Sequence, residues 1–261
     1  MRAVSSPGGD LPRRYREARR DPGLAVLEGF HTLKHAIRFG ADVLEVLAVD
    51  PDGLARLTTE MAPDLTDRLT ELASPIPQET FAELSPSPHP TGIVALARRP
   101  VLDPAAALAT PGPGPVVFLD RPTHHGNIGA VVRVAAAAGS AAVLVTGPHD
   151  PWHPASLRGG AGLQFALPVA QVDGLAGTDR VVIALDPDGV PLGEAQVLRR
   201  AVLLFGSERR GLGAELLERA EQRVAIPMRQ GVSSLNLATA VAVVLYHGRT
   251  GGATAPGAAT A

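Results

Sequence analysis

The stretch Ile226-Pro-Met-Arg-Gln-Gly-Val-Ser-Ser-Leu-Asn-Leu-Ala-Thr-Ala-Val-Ala-Val-Val-Leu-Tyr-His247 decides the fold. It ends a short apolar strand, crosses a polar loop and enters an almost wholly apolar helix. Ser233, Ser234 and Asn236 stand where that helix begins, and side chains of this kind cap the free N–H groups of a first turn. A buried helix does not require so many hydrogen-bonding groups at its entry, so the loop is a candidate ligand site.

Outward from that stretch, short apolar strands alternate with helical segments. Strands are expected at Val116–Leu119, Ala142–Val145, Val181–Leu185, Ala201–Phe205 and Arg223–Ile226, and helices at Ile128–Ala138 and Ala214–Ala220. Strands of this kind imply a mostly parallel sheet covered on both faces. The first part reads as a smaller α/β unit, with strands at Ala25–Glu28, Val43–Val49 and Ile93–Ala97 and helices at Arg13–Arg20, Gly29–Phe39, Leu54–Glu60 and Asp64–Leu72. The Pro/Gly-rich run between Val101 and Pro115 is the expected boundary. The organisation expected is therefore loose termini at 1–12 and 251–261, a first domain at 13–98, a linker at 99–115 and a second domain at 116–250.

Composition sets limits. The chain has 261 residues, and its net charge of −2 means that any nucleic-acid contact must come from local patches. The run Arg13–Arg20 holds five arginines and is a candidate phosphate contact. With no cysteine there are no disulfides and no thiolate metal sites. Residues 1–10 lack the apolar core of a secretory signal, and the apolar run around Leu237–Tyr246 is too short to span a bilayer. A cytoplasmic protein is expected.

Two further stretches carry chemistry. Val116-Val-Phe-Leu-Asp120 runs through Arg121-Pro-Thr-His-His-Gly-Asn-Ile-Gly129 into an Ala/Val-rich helix that contains one charge, Arg133. A charge among apolar neighbours is expected to be paired or used. The dinucleotide fingerprint and the Walker lysine are both missing. Leu203-Leu-Phe-Gly-Ser-Glu-Arg-Arg-Gly-Leu212 ends a strand in a turn carrying Glu208. His124 and His125 are adjacent, with no third metal ligand in sequence, so no metal is expected. His149 and His153 have helical spacing, but Pro151 stands between them.

In order, Asn127-x-Gly129-x-x-x-Arg133, Phe205-Gly-Ser-Glu-x-x-Gly-Leu212 and Ile226-x-Met228…Ser234-Leu-Asn236 resemble the three motifs of the SpoU/TrmH family of RNA ribose 2′-O-methyltransferases. Val134 stands where the family usually has Thr. Leu27–Ile37 and Pro90–Ala95 resemble the substrate-binding, L30e-like domain that often precedes the catalytic one. The resemblance implies a deep trefoil knot, a homodimer, S-adenosylmethionine as methyl donor and ribosomal or transfer RNA as acceptor, with ribosomal RNA favoured. It carries over Arg133, Asn127, Glu208, Ser234 and Asn236 as catalytic residues. Leu204, Phe205, Gly206, Glu208, Ile226, Met228, Ser234, Leu235 and Asn236 carry over as the donor pocket. Arg133 is expected to hold a phosphate and stabilise the developing alkoxide, because arginine does not give up its proton. Asn127 is expected to orient it. RNA grip and chemistry are expected to separate at the linker, so that a fragment from about Val101 keeps the donor site. The alternatives are a catalytically silent RNA-binding or ribosome-assembly protein of the same fold, against which the intact Asn127, Arg133, Glu208 and Asn236 argue, and a nucleotide-dependent oxidoreductase, which the missing glycine fingerprint disfavours.

Overall fold

The computed structural model describes residues 11–85, 87–109, 111–195 and 200–250. The tail expected at 251–261 lies outside them, as do residues 1–10. Leu11 and Pro12, expected in the loose N-terminus, open the first helix, where Leu11 is buried.

The first unit comprises α1 (Leu11–Ala18), β1 (Leu24–Glu28), α2 (Phe30–Arg38), β2 (Val43–Ala48), α3 (Pro51–Met61), α4 (Thr66–Leu72), β3 (Ala73–Pro75), α5 (Gln78–Leu84) and β4 (Ile93–Arg98). Its sheet runs β1-β4-β2-β3, antiparallel except for the β2–β3 pair. Helix α1 buries Leu11, Tyr15 and Ala18, one face at i, i+4 and i+7, against Val26, Leu47, Phe81, Leu84, Val94 and Leu96. Strand β3 and helix α5 were not anticipated. A three-residue edge strand and a two-turn helix between prolines are too short to leave a periodic signal.

The second unit begins with α6 (Pro104–Ala109), inside the segment expected as a linker. It continues through β5 (Val116–Leu119), α7 (His125–Ala138) and β6 (Ala142–Val145). The chain then forms α8 (Pro154–Gly159) before β7 (Val169–Gln171), β8 (Val181–Pro191), β9 (Ala201–Phe205), α9 (Ala214–Arg219), β10 (Gln222–Ala225) and α10 (Leu237–Thr250). The sheet runs β10-β8-β9-β5-β6-β7 and every pairing is parallel. All residues of β5, β6 and β9 are buried, as strands covered on both faces must be. One face packs Val116, Phe118, Leu144, Val202 and Leu204 against Ala107 and Leu108 of α6 and Leu216 and Leu217 of α9. Helices α7 and α10 pack on one another. The α6 segment is fastened by Arg180, only 2% exposed, whose guanidinium donates to Leu108 O at 2.7 Å and Gly114 O at 2.9 Å.

Residues 150–166, which include α8, group with the first unit although they lie between β6 and β7 of the second. Within that unit Ala161 O bonds the His35 ring at 2.7 Å, and Arg158 faces Glu28 at 3.5 Å. Gly162 has φ +76°, and a Cβ there would lie 2.3 Å from Thr32 O, so this closure requires glycine. His153 caps α8 by accepting from Ala155 N at 3.1 Å, which accounts for its place just before Pro154.

The arginines of 13–20 are largely committed within this unit. Arg19 pairs with the buried Glu28 at 2.9 Å, Arg14 pairs with Glu45, and Arg16 bonds its own helix at Pro12 O. Arg20 is exposed with no side-chain partner among the described residues.

Candidate active site

In an open parallel sheet, ligands bind beyond the C-terminal ends of the strands, where connections diverge to opposite sides. Here that point falls between β5, whose chain goes on to β6, and β9, whose chain crosses β8 to reach β10. The loops after these two strands are tied together. Asp120 Oδ2 accepts from Gly213 N at 3.0 Å, and Glu208 Oε2 accepts from Thr123 N and Oγ1 at 3.0 and 2.8 Å.

The turn after β9 is closed by reciprocal backbone bonds between Ser207 and Gly211 at 3.1 and 3.0 Å. A Cβ on Gly206 would lie 2.1 Å from Gly211 C, so only glycine lets the turn fold back this tightly. That fold-back sets Glu208 at the entry of α7. Its Oε1 accepts from Asn127 Nδ2 at 2.6 Å. Asn127 Oδ1 in turn accepts from Asn236 Nδ2 at 3.1 Å, and Asn236 Oδ1 accepts from Ala238 N at 2.9 Å and Thr239 N at 3.4 Å. The cap of α10 is thus Asn236. Neither Ser233 nor Ser234 has a hydrogen-bond partner among the described residues, which leaves their hydroxyls free for a ligand.

Burial alone would push the Glu208 carboxyl up. The hydrogen bonds from Asn127, from its own backbone and from Thr123 outweigh that, and hold it below the ordinary glutamate value of 4.5. The partial positive charge at the start of α7 acts in the same direction. Glu208 is therefore a fixed, ionised acceptor and a weak base.

Beside this chain of amides lies an open cleft of about 170 Å³. Apolar walls come from Leu185, Pro187, Phe205, Val224, Ile226 and Met228, and polar groups from Asp186, Glu208 and Ser234. Of the residues anticipated from sequence, Phe205, Gly206, Glu208, Ile226, Met228, Ser234 and Leu235 line it. Asn127 and Asn236 adjoin it through Glu208. Leu204 is fully buried in the sheet and does not line it. Arg133 stands exposed on α7, away from the lining, with no ion-pair partner among the described residues. Thr123, Asp120 and Asp186 were not anticipated. Asp120 and Thr123 follow the C-terminal end of β5, and that position was the available signal, whereas Asp186 lies within β8.

Fold and site define a parallel α/β protein with a cleft lined from β8, β9, β10 and the segment that enters α10. The chain belongs to the SpoU rRNA Methylase family, whose model matches residues 114–246. An uncharacterized tRNA/rRNA methyltransferase of Synechocystis sp. is 31% identical over 89% of this chain and 86% of its own. The 23S rRNA (guanosine(2553)-2′-O)-methyltransferase of Bacillus subtilis is 27% identical over 85% of this chain and 87% of its own. Among solved structures, the SpoU methyltransferase AviRb from Streptomyces viridochromogenes in complex with AdoMet has the same fold, with TM-score 0.75, 24% identity and coverage of 91% and 97%. An RNA 2′-O ribose methyltransferase is similar at TM-score 0.71 and 26% identity, covering 96% of this chain and 98% of that one.

Proposed function

We propose that this protein transfers the methyl group of S-adenosylmethionine to a ribose 2′-oxygen of structured RNA, with ribosomal RNA as the favoured class. The observation that carries the reading is the linked set Asn236, Asn127, Glu208 and Thr123, which joins the cleft to the start of α7. The family, and relatives named as 23S rRNA 2′-O-methyltransferases, support it.

The cleft suits the donor. Its apolar walls match an adenine and a methionine-derived chain, the ionised Glu208 faces a sulfonium cation favourably, and Ser233 and Ser234 offer free hydroxyls. When bound, S-adenosylmethionine supplies an electrophilic methyl group. Phe205, Gly206, Ile226, Met228 and Leu235 would hold it, with Ser234 as a hydrogen-bonding partner. Asn236 and Asn127 have their amides fixed by their partners and would hold Glu208 and the start of α7 in place. Glu208, a weak base, would orient groups and leave the proton alone. Arg133 would bind the phosphate beside the target ribose and stabilise its developing negative charge.

The position of Arg133 outside the cleft favours an active site completed in a homodimer. On α7 it shares an exposed face with Gly126 and Ala137, and α10 exposes Val243 and Tyr246 one turn apart. A row of small and apolar exposed side chains is the usual material of an interface. The chain leaving β9 crosses β8 to reach β10, a crossover consistent with the deep trefoil knot. Residues 13–98 would serve as the RNA-gripping domain ahead of a 116–250 catalytic domain, in the cytoplasm. No helix among the described residues is long and apolar enough to cross a membrane.

The test is incubation of the full chain with 23S rRNA and isotope-labelled S-adenosylmethionine, followed by digestion to nucleosides and mass spectrometry. A labelled 2′-O-methyl nucleoside is expected. Label on a base, or none on RNA, would overturn the reading.

A further inference from the structure

We propose that His125 and His149 form the seat of the base of the target nucleotide, with Arg121 taking a backbone phosphate other than the one assigned to Arg133; this rests on the RNA 2′-O-methyltransferase reading. His125 opens α7 and His149 lies four residues beyond β6, so adjacent parallel strands deliver both rings to the C-terminal edge of the sheet. The rings pack edge to face with centroids 4.8 Å apart. Thr123 and Asn127, which hold Glu208, belong to the same loop and first turn as His125. His125 is therefore two residues along the chain from each of two residues that bond Glu208.

His149 is not built like a structural histidine. Its Nδ1 is buried with no hydrogen-bond partner among the described residues. A buried orphan nitrogen costs free energy that an apolar ring of the same size would avoid. No bond at Nδ1 orients the ring, which is placed by its packing on His125. Such a ring would offer a ligand a flat surface and its second nitrogen. Two rings of this kind do not make a metal centre, because no cluster of three ligating side chains occurs among the described residues.

RNA bases taken out of a stack are held on planar side chains, histidine included, and read along their polar edges. Planar side chains are scarce here. Among the described residues of the second unit the other planar rings are Phe118 and Phe205, both buried in the sheet, His124 beside His125, and Tyr246 and His247 on α10. Arg121 is exposed, has φ +50°, and has no ion-pair partner among the described residues. Its backbone N–H bonds Thr146 Oγ1 at 3.0 Å, which pins it beside the loop that carries His149. A nucleotide needs one cation and one stacking surface, and this edge of the sheet supplies both.

The test compares the full-length wild type with H149A, H149F, H125A and R121A. The substrates are transcribed 23S rRNA and three transcripts in which the methylated base, once mapped, is changed to each alternative. H149A and H125A are expected to raise the KM for RNA about tenfold, the scale of one base–ring contact. H149F keeps a ring but no nitrogen, so it should retain most affinity and lose discrimination among the four transcripts. R121A should flatten the dependence of RNA affinity on salt. S-adenosylmethionine affinity, measured by calorimetry, should stay at the wild-type value throughout and certifies the fold. Wild-type KM and base preference in H149A and H125A would overturn this proposal alone. A wild type that binds the donor and methylates no RNA would overturn the parent reading and this one with it.

Discussion

The side-chain amide of Asn236 donates to that of Asn127 at 3.1 Å, across 109 residues of sequence, and so joins the first turns of α10 and α7. The same Asn236 caps α10 through its oxygen. One residue therefore orders the end of the cleft loop and, through Asn127, the carboxylate of Glu208.

Asn236→Ala removes both bonds. It should weaken S-adenosylmethionine binding by about 1 kcal/mol, the scale of a lost helix cap. Asn236→Asp keeps the capping oxygen but loses the donor to Asn127, and brings a second negative charge towards Glu208. Its melting temperature should stay near the wild type while turnover falls. Unchanged donor affinity and rate in the Ala variant would show that the cleft is not the donor site.

Arg133→Ala should abolish methyl transfer and leave melting temperature and donor affinity intact, because the side chain is exposed and makes no ion pair within the described residues. Arg133→Lys should rescue poorly, since lysine lacks the planar fork that grips a phosphate. Turnover by the Ala variant close to the wild type would remove Arg133 from the chemistry.

Glu208 sets a pH expectation. Its folded value lies below its unfolded one, so the stability it contributes is present above the unfolded value and is lost as pH falls through the folded one. The difference in melting temperature between wild type and Glu208→Gln should hold constant from pH 9 to about pH 5 and shrink below that. The turnover profile in the same range should show no limb that disappears in the Gln variant. A difference that grew on acidification would reverse the assigned direction.

A fragment beginning at Val101 carries residues 150–166 without the first unit they pack in. Trp152 and Leu157, 6% and 0% exposed in the full chain, would face water. The fragment should aggregate or melt well below the same fragment with 150–166 replaced by a short Gly/Ser link. The relinked fragment should bind S-adenosylmethionine. Equal solubility and melting temperature for both would show that 150–166 needs no partner.

Arg14→Ala and Arg19→Ala should lower stability, because their partners are Glu45 and the buried Glu28. Arg20→Ala should leave stability alone and reduce the slope of log RNA affinity against log salt by about one if Arg20 meets a phosphate. Equal slopes would mark it as a solvated surface charge.

The sequence by itself determined the parallel sheet, because β5, β6 and β9 are buried on both faces and read as unbroken apolar runs. It also marked the loops that carry Asn127, Glu208 and Asn236, since polar groups at the ends of apolar elements are anomalies visible without coordinates. Only the tertiary structure decided which side chains meet. That Thr123 shares Glu208 with Asn127, that Asn236 rather than a serine caps α10, that Leu204 points into the core and that Arg133 stands outside the cleft all depend on loops brought together by strand order. The place of 150–166 was equally hidden. The pattern within a segment reports which of its own faces is apolar, whereas the partner of that face is chosen by packing among residues far away in the chain.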